Sequence, residues 1–178
     1  MLSFQDQAIA AAAGFQRLDA LPNTAFRAIP ASGTASYAGD AALSVVDAGY
    51  QEYLLLGRSA MQVDFANTTV SGILSEFHGG AAPAGQVFPT ENVDFAGSIV
   101  LTGGGIGIFR PNDFDGTFAG TLTGAGHVIA LNGPYLGDFK GTPIKGIVAS
   151  NVTNSGSADQ ATVDGIPAAI VDLQVWAD

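Results

Sequence analysis

Cysteine is absent from the 178 residues, which excludes disulfides, thiolate metal sites and cysteine nucleophiles. Basic residues are scarce. There are six, Arg17, Arg27, Arg58, Arg110, Lys140 and Lys145, against sixteen acidic ones, for a net charge of −10. The six are scattered along the chain, so no positive patch forms to meet nucleic-acid phosphates, and an anionic membrane surface repels the chain. Charged residues make up only 12% of the sequence, about half the share usual in soluble domains. Long apolar runs are missing too: Ala8 to Ala13 falls far short of the ~20 residues a membrane helix needs. The first residues, MLSFQDQ, carry neither a basic stretch nor a cleavage-type signal. Glutamate occurs three times, at Glu52, Glu76 and Glu91, and no sequence-local pair of carboxylates is nominated for acid–base work. The chain is therefore expected to be non-enzymatic.

What is present is 24 glycines, an apolar fraction of 47%, and strand-like alternation. Between Arg58 and Phe77, Met61, Val63 and Phe65 alternate with Gln62 and Asp64, the period-2 pattern of a strand with one buried face. Asn67-Thr68 supplies a turn, and Thr69 to Phe77 runs back. Val-Asp-Phe recurs at Val93 to Phe95, and Asp-Phe recurs at Asp113-Phe114 and Asp138-Phe139. Further strands are predicted at Thr24 to Ile29, Gly33 to Ala38, Leu43 to Val46, Tyr50 to Leu56, Val93 to Leu101, Ile106 to Phe109, Phe114 to Thr123, His127 to Leu131, Lys145 to Asn151 and Ile170 to Ala177.

Gly103-Gly104-Gly105 reads as a bulge within a strand. Arg110-Pro111-Asn112, Asn132-Gly133 and Ser155-Gly156-Ser157 read as breaks or turns. Ser3 to Ala13 reads as a short helix with Ser3 as N-cap, Asp6 near its positive end and Gly14 as its stop. Its placement, across a barrel mouth or loosely at the terminus, stays open. The pattern predicts an all-β protein: an up-and-down antiparallel eight-stranded β-barrel with a short N-terminal helix. Residues 1–20 form the helix and lead-in, and 21–178 form one barrel domain. Eleven phenylalanines are enough to fill such a barrel and push any ligand to its rim.

The segments GTASYAGDA (Gly33 to Ala41), MQVDFANTTVSGIL (Met61 to Leu74), DFDGTFAGTL (Asp113 to Leu122) and LNGPYLGDFKGTPIKGIVAS (Leu131 to Ser150) follow one family's order. They resemble the β-barrel domain of transferrin-binding protein B and its relatives, over roughly Leu21 to Ser150. Asn132-Gly133-Pro134 keeps the family's Gly-Pro, whereas the glutamate that follows it there is absent. The resemblance implies an exported protein at the extracellular or outer-membrane surface of a Gram-negative bacterium. It implies a partner that is a host protein, or haem acquired through an outer-membrane receptor.

His78 opens a predicted Gly-rich loop, His78 to Asn92, directly after Phe77. A loop histidine flanked by glycines can swing onto haem iron or another metal; a solvated loop histidine is the simpler alternative. His127 follows Gly124-Ala125-Gly126 at a predicted barrel rim, where it offers a second ligand. The expected haem site is thus His78, Phe77 and His127, with His78 and His127 as the metal-binding pair. Asn112, Asp113, Asp115 and Gly116 resemble part of a calcium loop but lack its closing glutamate, so calcium is a lesser expectation. The competing reading is a surface protein-interaction or adhesin module with an exposed apolar patch on its loops.

Overall fold

The computed structural model describes residues 2–83, 85–107, 112–152 and 160–178. The strand end expected at Phe109, the break at Arg110-Pro111 and the turn at Ser155 to Ser157 lie outside them.

The first element is α1, Phe4–Asp19. Ser3 caps it: the Asp6 backbone N–H donates to Ser3 Oγ at 3.1 Å, and the Ser3 backbone N–H donates to Asp6. The helix runs past Gly14, which does not stop it. A side chain at Gly14 would crowd Trp176, its added Cβ lying 3.2 Å from the indole Nε1, so this glycine serves close packing. Nor does α1 span a barrel mouth. Phe15 meets Trp176 edge-on at 5.6 Å, and Leu18 is buried with Val148 and Trp176, which places the helix along the outer wall. Lys140, 6% exposed, ties its end by an ion pair to Asp19 at 2.9 Å, placing a cation at the negative helix terminus. The strand expected at Thr24 to Ile29 is instead a single 3-10 turn, Phe26–Ala28.

Ten strand segments follow: β1 Thr34–Val46, β2 Glu52–Asp64, β3 Thr69–Ala81, β4 Val93–Ile106, β5 Asp113–Gly124, β6 His127–Lys140, β7 Gly146–Asn151, β8 Ala161–Val163, β9 Ile166–Pro167 and β10 Ile170–Ala177. Neighbours pair antiparallel in sequence order from β1 to β6. β7 pairs with the C-terminal half of β6 and β8 with its N-terminal half, so β7 and β8 are two pieces of one stave. β9 continues into β10 in the same way, and β10 closes on β1. The result is a closed antiparallel eight-stranded barrel with one N-terminal helix. Closure leaves no long edge to template aggregation.

The expected strands at Gly33 to Ala38 and Leu43 to Val46 are one strand, β1. Asn132-Gly133 is no turn: it lies mid-β6, paired to Ala119 and Phe118. The triple glycine sits within β4 where register shifts between Thr102 and Gly105, and Gly103 has φ +73°, as a bulge requires.

The interior is filled. Phe77, Phe114, Phe118, Tyr135 and Phe139 are each at most 1% exposed. Phe65, Phe95, Phe114 and Phe139 of the repeated Asp-Phe pairs all belong to this core. Phe139 stands 5.1 Å from Phe114 and 6.1 Å from Phe65.

Candidate functional site

His78 lies inside β3, paired with Leu56 on one side and Asp94 on the other; the expected loop begins only after Ala81. A β-bulge decides which way it faces. Leu74 and Phe77 are both buried, although strict alternation would turn one of them outward. The irregularity falls at Ser75-Glu76, where register shifts and Glu76 adopts φ +54°. A non-glycine residue held there is strained and re-aims its neighbours. Phe77 therefore points into the core at 1% exposure, which removes it from the expected haem site, and His78 points outward.

On the outer wall His78 lines a cleft of about 400 Å³ between α1 and β1–β3. Asp40, Arg58, Glu76 and Leu56 share that lining, with Leu2 from the lead-in to the helix. Arg58 donates to Asp40 at 2.5 Å. His78 Nδ1 lies 2.8 Å from Asn92 Oδ1. With Nδ1–H donating to that amide oxygen, Nε2 keeps its lone pair for a ligand. Phe4 braces the imidazole edge-on at 6.0 Å.

His127 stands at the barrel end, on the opposite face of the wall. It alternates in phase with the buried Ile129 and Leu131 and touches the inward Tyr53, their rings 5.2 Å apart. Its Nδ1 is 2.8 Å from Asp164 Oδ2, and its Nε2 is 3.4 Å from the Tyr53 hydroxyl. Asp164 also accepts from the Val128 backbone N–H; that bond and the His127 bond hold its carboxyl below the usual aspartate range. Burial, then Asp47 and Asp164, push the Tyr53 phenol up, so at neutral pH it stays a neutral hydrogen-bonding group. The two histidines face opposite sides of the wall, His78 on β3 toward the outer cleft and His127 on β6 toward Tyr53 in the interior. They form no pair for one metal or haem. Asp113 and Asp115 lie in strand β5 rather than in a loop, and no group of three metal-ligating side chains gathers among the described residues.

Sequence reading missed an uncharged stripe on the outer wall. Register aligns Ala38 with Ala60, Ala60 with Ile73, Ile73 with Val100, and Val100 with Ala119. All five point outward, with Ile73 51% and Val100 41% exposed. The patch lies on strands, not on loops as expected. Its residues are scattered in sequence, and only cross-strand register brings them together.

The chain is similar to a solved structure. It is that of intact Ap-TbpB with its N and C lobes, at 18% identity and a TM-score of 0.48, over 88% of this chain and 28% of that one. The chain thus spans little more than a quarter of that protein's length. No family model matches, and no curated protein does. No helix among the described residues is long and apolar enough to cross a membrane.

Proposed function

We propose that the protein is a non-enzymatic binding barrel that holds its ligand on the outer wall, in the cleft between α1 and β1–β3. The ligand in this reading is haem or a related iron complex, with His78 Nε2 as axial ligand. The observation that carries it is the Asn92 bond to His78 Nδ1, which orients the ring and leaves one lone pair beside a cleft of about 400 Å³. The aromatic core supports an external site, since a filled lumen offers no room. Leu2 and Leu56 supply apolar surface, and Arg58 is the basic group of the lining, able to exchange Asp40 for a propionate. Asp40 and Glu76 oppose an anionic porphyrin and limit its affinity. Export to a Gram-negative cell surface belongs to the same reading and rests on the Gly-rich segments and their resemblance. Titration with haemin tests it: a Soret shift at micromolar protein, lost in His78→Ala, is expected. No shift overturns it.

The stripe through Ile73 and Val100 favours a second reading, a module that docks a protein partner. A contiguous uncharged sheet face is unusual on a chain of net charge −10. A defined partner bound equally by the wild type and His78→Ala, but lost by the double variant Ile73→Lys, Val100→Lys, is the expected result. Retention by the double variant removes this reading.

A further inference from the structure

A second cavity, of about 190 Å³, lies under α1 and is distinct in chemistry from the His78 cleft. Its walls come from three separate parts of the chain. The helix contributes Phe4 and Phe15, with the small side chains of Ala8, Ala11 and Ala12 between them. The barrel contributes Trp176 and Leu54, and the β3–β4 connection folds back to contribute Phe88. Alanine between phenylalanines is what leaves the space open: a larger residue at position 8 or 11 would fill it.

Four aromatic residues thus line one small cavity, and its lining contains a carboxylate but no basic residue. That carboxylate, Asp172, is exposed and accepts only a long bond of 3.4 Å from Gln174 among the described residues. The neighbouring Ser44 hydroxyl is already committed to Glu52 at 2.7 Å. Aromatic rings attract cations through their quadrupoles, and more strongly where water is excluded. A carboxylate at the edge adds a direct charge interaction, and the net charge of −10 raises the local concentration of cations. A bare ammonium is strongly hydrated and needs hydrogen-bond acceptors, which aromatic and alanine walls do not provide. A methylated ammonium carries its charge inside an apolar shell and needs none. A cavity of about 150 Å³ is enough for benzene, so the space here admits a trimethylammonium group.

We propose that this cavity is a binding site for a small organic cation of the methylated-ammonium class, lined by Phe4, Phe15, Phe88 and Trp176 with Asp172 as counter-charge. The assignment goes beyond the His78 cleft and does not depend on it.

The test uses the single tryptophan, which lines the cavity. The full chain is titrated with choline while Trp176 fluorescence and heat of binding are followed. The control is choline's neutral isostere, in which a quaternary carbon replaces the nitrogen. Choline is expected to give a saturable signal, at least about tenfold tighter than the isostere. Asp172→Asn, which keeps the shape, is expected to weaken choline severalfold. Equal affinity for the isostere overturns the assignment by showing an apolar pocket indifferent to charge. Unchanged choline affinity in Asp172→Asn overturns it, as does the absence of a saturable signal from protein whose far-ultraviolet circular dichroism shows it folded.

Discussion

Tyr135 lies against Gly116 inside the barrel, where an added Cβ on the glycine would come within 2.8 Å of the phenol ring. The same device recurs as Phe77 beside Gly57, Phe95 beside Gly124, and Phe118 beside Gly133. In each case a glycine on one strand makes room for an aromatic ring from another, and the ring covers backbone that glycine leaves bare. The inward direction of Phe95 and Phe118 follows from local alternation, whereas that of Phe77 depends on the bulge at Glu76 and that of Tyr135 on a strand that runs on through Asn132-Gly133. The glycines were not legible, because each sits on a neighbouring strand and only register names it. Tyr135 carries a prediction at this scale. Burial, with a smaller contribution from Asp115, pushes its phenol up from 10.0 to about 12. A folded pKa above the unfolded value means that the neutral phenol's contribution is complete below pH 10. It is lost as pH rises toward 12. Stability measured by urea unfolding across that alkaline range is expected to fall steeply for wild type. In Tyr135→Phe the fall should be shallower; an identical slope would show that another group is responsible.

Among the elements, the split stave explains the buried polar side chain of Asn151, 4% exposed. Where β7 gives out, Asn151 takes over the ladder toward β10. Its side-chain oxygen accepts from the Leu173 N–H at 2.9 Å, and its amide donates to the Val171 carbonyl at 3.0 Å. Gln160, at the entrance to β8, accepts from the same amide at 2.9 Å and donates to the Val152 carbonyl. One asparagine therefore supplies both a donor and an acceptor where backbone pairing stops, so Asn151→Ala leaves two buried backbone groups unmet. The expected cost is about 2–4 kcal/mol, read as a lower urea midpoint with unchanged slope; a loss near zero would mean that water replaces the side chain. Element-level reading succeeded for the hairpins at Asn67-Thr68 and Ala125-Gly126, whose turn residues act locally. It failed at Asn132-Gly133 because β6 is paired on both sides, and that pairing overrides a dipeptide's turn preference. It failed at Gly14 because a helix continues through glycine when docking repays the cost of about 1 kcal/mol.

At the scale of the whole molecule, sixteen carboxylates face six basic groups. Among the described residues, Arg17, Arg58 and Lys140 are in ion pairs with Asp178, Asp40 and Asp19. Self-repulsion in the folded barrel should therefore be relieved by salt. The midpoint of thermal unfolding is expected to rise by a few degrees between low and moderate sodium chloride. A midpoint independent of salt would show that the charges are already compensated by their spacing. Sequence alone determined the all-β barrel with its helix, and the exclusion of disulfides and thiolate sites by the lack of cysteine. These follow from composition and from a period-2 signal that each strand carries by itself. Only the tertiary structure decided that His78 looks outward, that His127 looks inward, and that Phe4, Phe15, Phe88 and Trp176 meet. One bulge at Glu76 reverses the parity of everything after it in the strand. The meeting of distant aromatics depends on which outer face the helix covers. Both are properties of neighbouring chain segments, and a local pattern does not contain them.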